Sequence, residues 1–361
     1  MGRHLFRRKI LMNVHGVLFI SVFLLILTAG YAGSADYKPI DIPGADRPDV
    51  EHFRAEYSKP FGCKKLAATL DGSLRYRLYV RKLLVEKKMP ASLEYLPVIE
   101  SDYNPAARSK DGKGVGLWQF MPNSTEPFLT RNEWIDERLD PWKSTVAALT
   151  KLQDNYRTFN DWLLAIAAYN CGAGAMTRIL AQVPEKNFWY LSEHNLLPDH
   201  TIRYVPKFLA IADLAQNSAY YGIELPTDDA EAQLLPHVGE FDYVTVCSVI
   251  SLARLAGELR MDEKKLFRLN PALLKGVTPP DAPYMIRLPA GMKVAAEQAL
   301  TGIKTYRMLT QHVIVRGDTL WSLSRTYETT VSILCTVNGI SPETVLQTGK
   351  YLYIPRKITD N

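Results

Sequence analysis

The chain has 361 residues, 47% of them hydrophobic and 22% charged, with a formal net charge of +5 and a sequence pI of about 8.8. That length holds two or three domains, and the balance is that of a folded globular protein rather than a disordered or fibrous one. The excess of base is mild and is not gathered into stripes, which excludes a nucleic-acid partner and leaves an anionic polymer compatible.

The N-terminus has the order of an export signal. Arg3, Arg7, Arg8 and Lys9 form a positive head, and Val17 to Leu27 is apolar apart from Ser21. Small residues follow, and a cleavage point falls after Ala35, with Gly33 and Ala35 both small. The competing reading is an uncleaved anchor, since Ile10 to Leu27 approaches spanning length with interruptions at Asn13 and His15. Residues 1–35 therefore read as a signal peptide or an N-terminal anchor. No Cys follows the apolar run, which argues against a lipid-modified N-terminus. Both readings put the folded part outside the cytoplasm, in the periplasm or cell envelope, and the second adds membrane association through the N-terminus. Cys63, Cys171, Cys247 and Cys335 are widely spaced with no CxxC pair, so metal ligation is not expected. Export permits disulfides, but the spacing demands none, and four buried apolar thiols is the plain expectation. No motif for a metal or an organic cofactor is present.

Residues 36–63 are rich in Pro, Asp and Gly and read as an irregular lead-in. From Lys64 to Lys88, Leu66, Leu70, Leu74 and Leu78 recur at helical spacing until Pro90. Ala91 to Glu100 starts a short helix with Ser92 as candidate cap. Ser144 to Phe159, Asp161 to Tyr169, and Thr201 to Gln216 with Pro206 near its first turn are further helices. An all-helical domain therefore spans 64–222, followed by a linker at 223–238.

Beyond the linker the chain repeats itself. Shifted by 68 positions, Leu320 falls on Leu252, Leu323 on Leu255, Leu334 on Leu266 and Asn338 on Asn270. Each copy closes on an apolar segment ending in proline, at Pro289 and Pro355. The pattern predicts two small βααβ modules, at 239–290 and 312–356, joined by a linker at 291–311. The fold class is α+β and multidomain.

The densest unusual stretch is Leu96 to Met121. A helix ends at Glu100, Asn104-Pro105 turns the chain, and a Gly-rich loop leads to Gly116-Leu117-Trp118-Gln119. A Glu just past Val98 and Ile99 would be half-buried, and burial raises a carboxyl pKa because the charged form loses hydration. Such a group stays protonated and can act as a general acid. An ordinary exposed or ion-paired Glu fits the local context as well.

Glu100-Ser101, Asn104-Pro105 with Ser109, Gly116-Leu117-Trp118-Gln119-Phe120-Met121, Ala168-Tyr169-Asn170 and Tyr204 together resemble the lysozyme-like family 1 lytic transglycosylases, in that family's order and at compatible spacing. His312 to Pro355, with Gly317-Asp318-Thr319-Leu320, Asn338 and Gly349, looks like a LysM domain. The resemblance implies a lysozyme-like catalytic domain acting on peptidoglycan glycan strands. It makes Glu100 the catalytic acid and base, cleaving between MurNAc and GlcNAc with formation of a 1,6-anhydro sugar. The MurNAc C6 hydroxyl is an intramolecular nucleophile, so no second enzyme carboxylate is needed, whereas most glycosidases need a pair. Asp102, Asp111 and Glu126 are the nearest alternatives and none sits in a recognisable partner motif. The resemblance also implies substrate contacts from Ser109, Gln119, Met121, Tyr169, Asn170 and Tyr204, whose hydroxyls, amides and rings suit a sugar polymer. Tyr169 or Tyr204 would orient Glu100. Cys171 replaces the family's usual Ala and reads as packing.

In the second module the resemblance implies that Gly317, Asp318, Thr319 and Leu320 receive the N-acetyl groups of a GlcNAc-containing polymer. The first module has Val249, Ile250 and Ser251 at the positions of Gly317, Asp318 and Thr319. Losing the Gly and the capping carboxylate predicts a degenerate module packed on the catalytic domain rather than binding sugar. Two other functions stay open here: a muramidase that adds water, and a non-catalytic peptidoglycan-binding protein.

Overall fold

A computed structural model of the chain describes residues 36–225, 238–280, 282–303 and 306–357. The N-terminal signal or anchor lies outside the described residues, as does most of the linker read at 223–238. No helix among the described residues is long and apolar enough to cross a membrane.

In chain order the helices are α1 (Pro48–Tyr57), α2 (Pro60–Gly72), α3 (Leu74–Glu86), α4 (Leu96–Ser101), α5 (Pro141–Phe159), α6 (Trp162–Cys171), α7 (Ala173–Leu180), α8 (Phe188–Glu193) and α9 (Asp199–Gln216). The modules follow as β1 (Phe241–Val246), α10 (Leu252–Glu258), α11 (Glu263–Leu269), β2 (Tyr284–Pro289), α12 (Lys293–Gly302), β3 (Tyr306–Val313), α13 (Leu320–Thr326), α14 (Val331–Asn338) and β4 (Tyr351–Lys357). Contacts divide these elements into two units. One draws on 36–103 and 151–225, the other on 104–150 and 238–357.

In the first unit the Pro-rich lead-in is not irregular. Pro48 and Pro60 each open a helix, where a missing N–H costs nothing and the fixed φ is already helical. Asp49 and Glu51 in the first turn of α1 complement its dipole. The expected helix 64–88 is two helices that meet at Ser73, whose hydroxyl bonds back to the Thr69 carbonyl at 2.6 Å. Leu66, Leu70, Leu74 and Leu78 are buried, as their spacing predicted. Ser92 does not cap the segment after Pro90. The Asp41 carboxylate does, accepting from the Ser92 N–H at 3.1 Å and from the Ser92 hydroxyl. Pro206 lies inside α9 rather than at its start. Asp213, fully buried on α9, takes the Arg54 guanidinium at 2.7 Å and the Tyr221 hydroxyl at 2.8 Å, tying α1 to α9.

In the second unit both modules have the βααβ order. The β1–β2 pair is antiparallel with Phe241 opposite Pro289, and the β3–β4 pair is antiparallel with Val313 opposite Tyr351. The repeat extends to side chains. Asn270, at the end of α11, donates to the carbonyls of Leu266 and Arg287 and accepts from the Arg287 N–H. Asn338, at the end of α14, does the same with Leu334 and Tyr353. Asp262 and Thr330, 68 positions apart, both cap the second helix of their module. The stretch 291–311, read as a linker, contains α12 and most of β3.

Cys335 is buried, Cys63 and Cys171 are partly buried, and Cys247 is exposed; all four are free. The expectation of four buried thiols thus fails at Cys247, which directly follows β1.

Candidate active site

Glu100 sits in the last turn of α4. Leu96, Pro97 and Val98 bury the start of that helix, while Ile99 and Glu100 reach partial exposure. Asp102 and Tyr103 stop it in the left-handed region, with φ of 51° and 58°. Tyr103 is buried and its hydroxyl donates to the Glu94 carbonyl, so the helix end is pinned from behind.

Tyr204, from α9, donates its hydroxyl to Glu100 Oε1. Protein packed round the carboxyl strips most of its hydration, and burial pushes its pKa up to about 7. The Tyr204 hydrogen bond and the charges of Lys151 and Lys207 pull the other way, toward the ionised form. Tyr169 and Tyr204 are 9% exposed, and burial beside Glu100 lifts both phenols well above their ordinary range. The Lys151 ammonium stands 5.1 Å from the Tyr169 ring centre, and burial lowers its pKa. Asn170 accepts from the buried Thr201 hydroxyl at 2.8 Å, which fixes α6, carrying Tyr169, to α9, carrying Tyr204. A cavity of about 150 Å³ opens beside Glu100.

The first unit thus brings together Glu100, Tyr169 and Tyr204, with Asn170 one step behind. Lys151, Thr201 and Lys207 also belong to this group and escaped sequence reasoning. Each is a common residue type on an amphipathic helix, and none stands in a motif.

Ser109, Gln119 and Met121 belong to the second unit. The Ser109 hydroxyl donates to Asp111 at 2.5 Å and accepts from the Gly114 N–H at 2.8 Å. Asp111 also takes the Lys113 N–H, and these bonds hold its carboxyl below the usual range. Gln119 has φ of 48°, and its amide donates to the Gly116 carbonyl at 2.8 Å. Met121 is 39% exposed. Trp118 anchors the loop from a fully buried position, its indole N–H donating to Thr145 at 2.9 Å. Gly116 has φ of 85°, and a Cβ there would stand 1.8 Å from the Arg138 carbonyl, so only glycine fits.

In the second module Gly317 has φ of 98°, and Asp318 accepts from the Val315 N–H at 2.8 Å and pairs with His312 at 2.7 Å. The helix cap is Thr319, in a capping box with Ser322, and not Asp318. Leu320 is 6% exposed and belongs to the module core. In the first module Val249 and Ile250 are buried, yet Ser251 keeps the cap by accepting from Arg254. What the substitution removes is the exposed turn, not the cap. This module packs on residues 134–142. The Asp136 N–H donates to the Ala272 carbonyl at 2.9 Å and the Leu274 N–H to the Trp134 carbonyl at 3.0 Å. The buried Arg287 guanidinium pairs with Asp140 at 2.8 Å over the Trp142 ring.

Comparison with known proteins agrees with this architecture. Residues 81–192 match the Transglycosylase SLT domain, 240–305 the "Lytic transglycosylase MltD, LysM-like domain", and 312–355 the LysM domain. The chain thus carries, in this order, segments similar to a transglycosylase SLT domain, an MltD-type LysM-like domain and a LysM domain. Over 267 residues, 69% of its length, it is 29% identical to membrane-bound lytic murein transglycosylase D of Escherichia coli (strain K12), and equally to that of a second Escherichia coli strain. It spans 56% of the length of these relatives. Over 113 residues, 31% of its length and 54% of the relative's, it is 34% identical to a protein of Alteromonas sp. (strain M-1) named for tributyltin chloride resistance.

Proposed function

We propose that this protein is a lytic transglycosylase that cleaves the β-1,4 bond between MurNAc and GlcNAc in peptidoglycan and leaves 1,6-anhydro-MurNAc ends. The observation that carries the reading is a carboxyl raised to about 7 by burial and held by a tyrosine hydroxyl. At neutral pH a large share of Glu100 is protonated and able to donate to the glycosidic oxygen. Because Tyr204 occupies Oε1, the proton to be given resides on Oε2. The carboxylate left behind is stabilised by the same Tyr204 bond and by Lys151 and Lys207. It then takes the proton of the MurNAc C6 hydroxyl as that oxygen closes on C1. Glu100 ends protonated, and no water is consumed.

Ser109, Gln119, Met121, Tyr169, Asn170 and Tyr204 contact the glycan in this reading. The catalytic domain spans 64–222. The module at 312–356 holds GlcNAc-containing polymer through the Gly317-Asp318-Thr319-Leu320 turn, and the module at 239–290 serves as a structural support. The protein is exported and works in the cell envelope, with residues 1–35 as signal or membrane anchor. The Escherichia coli relatives, named as membrane-bound lytic murein transglycosylases, support this placement.

Mass analysis of products from purified sacculi tests the chemistry. Anhydro ends are lighter by one water than hydrolytic ends, and the reading requires the lighter product. Glu100→Gln should abolish its release while glycan binding persists. Hydrolytic ends, or turnover retained by the Gln variant, would overturn the reading. Removal of residues 312–361 should weaken sacculus binding and leave turnover on soluble strands.

A further inference from the structure

The cavity beside Glu100 is walled mostly by helices outside residues 81–192. Gly62, Lys65 and Thr69 form one stripe of α2, at i, i+3 and i+7, and Lys207 lies one turn beyond Tyr204 on α9. Tyr57 closes the α1 end, with its ring centre 5.7 Å from the Lys207 ammonium. A Cβ at Gly62 would come within 2.4 Å of the Tyr57 carbonyl, so glycine is what lets α1 and α2 meet closely at this wall.

Charge is the informative feature. The ionisable carboxylates and ammonium groups of the wall are Glu100, Asp102, Lys65 and Lys207. With Glu100 protonated they leave one unmatched positive charge. Glycan hydroxyls, ring oxygens and N-acetyl groups carry none, and Lys207 opposes the protonated form that the acid needs. The one pairing on this wall is also easily exchanged. Lys65 meets Asp102 at 2.8 Å with both side chains half exposed, where solvent screens the attraction strongly. Tyr57 and Thr69 add hydroxyl donors.

We propose that this cavity is a carboxylate subsite in which Lys65 and Lys207 hold an acidic group of the peptide stem borne by the reacting MurNAc, so that stem-bearing strands are preferred to stripped glycan. The subsite rests on Glu100 being the catalytic acid. A volume of about 150 Å³ admits a short acidic branch next to the reaction centre and not a further run of sugars.

The test compares two substrates, soluble glycan strands with stems intact and the same strands after an amidase has removed the stems. Wild-type protein should show a KM about tenfold lower on stem-bearing strands. Lys65→Met should raise that KM about fivefold, with kcat within about twofold and the KM for stripped strands unmoved. Lys65→Arg should keep the preference, and Lys65→Met with Lys207→Met should erase it. Equal KM values for the wild type, or equal losses on both substrates in Lys65→Met, would overturn the subsite. Binding of both strands to the Glu100→Gln variant separates the two proposals. A stem preference in dissociation constants, with hydrolytic rather than anhydro ends from the wild type, would sink the anhydro chemistry and keep both Glu100 as the acid and the subsite.

Discussion

Tyr204 donates a hydrogen bond to Glu100 from 104 residues away in the chain. One turn earlier on the same helix, Thr201 is locked to Asn170 at 2.8 Å, the neighbour of Tyr169. The two tyrosines that surround the carboxyl are thus set by one polar contact between α6 and α9. Burial raises the acid, and the tyrosine bond restrains that rise, so the carboxyl comes to rest at about 7.

This opposition predicts a pH profile. With Glu100 at about 7, kcat/KM should fall above pH 7 with the loss of one proton. Tyr204→Phe removes a bond that favours the ionised carboxyl, so the falling limb should move to higher pH. The maximum rate should drop by about tenfold to a hundredfold through lost orientation. Rates measured from pH 5 to 9 decide it. A limb that stays in place or moves lower in the Phe variant would contradict the assignment.

Stability should carry the same signature with a defined sign. Folded Glu100 keeps its proton to about pH 7, whereas an unfolded carboxyl releases it near 4.5. Between these values the folded state binds more protons, so the contribution is fully present below 4.5 and is lost as pH rises through 7. Allowing for the partial exposure of the group, the loss is about 2 kcal/mol. Glu100→Gln does not titrate. Its melting temperature should match wild type at pH 4.5 and exceed it by roughly 5 °C at pH 8. Parallel curves across that range would show that the carboxyl is not raised.

How much of this was legible depended on spacing. The Glu100, Tyr169 and Tyr204 positions stood in ordered motif blocks, and the two βααβ modules in a 68-residue repeat. The helix at Pro48–Tyr57 is hidden by its proline, which breaks a helix interior but here occupies the first helical turn. The cap on Ser92 comes from Asp41, about fifty residues upstream, and no local pattern encodes it. Lys65, Lys151 and Lys207 were invisible for a different reason. A lysine on an amphipathic helix reads as a solvated face, and only the fold places these near a buried carboxyl.

The Gly-rich loop predicts a sharp contrast between two of its glycines. A Cβ at Gly116 would overlap the Arg138 carbonyl at 1.8 Å, whereas one at Gly112 meets nothing within 4 Å. Both have positive φ, 85° and 71°, so both Ala variants bear the backbone penalty of about 1 kcal/mol. Gly116→Ala must also displace backbone and should cost more than about 3 kcal/mol, enough to reduce soluble yield. Thermal melts of the two variants give the comparison. Equal costs would mean that the loop and Arg138 do not approach as the structure has them.

The twin asparagines allow one interaction to be weighed in two settings. Asn270 and Asn338 each make three hydrogen bonds, one back to their own helix and two that hold the second helix of a module to its last strand. Asn270 is 2% exposed, and its strand partner Arg287 also carries the buried pair with Asp140. Asn338 is only partly buried, so water can replace what a substitution removes. Asn270→Ala leaves the Arg287 N–H and carbonyl without a partner in the dry interior and should cost about 3 kcal/mol. Asn338→Ala should cost about 1 kcal/mol, confined to the second module. Denaturant unfolding followed by the tryptophan signal ranks the two. Because Arg287 and Asp140 link the first module to residues 134–142, Asn270→Ala should also quicken hydrogen exchange at the Asp136 and Leu274 amides, and Asn338→Ala should not. Exchange at those amides that ignores Asn270 would mean that the first module holds this segment by some other contact.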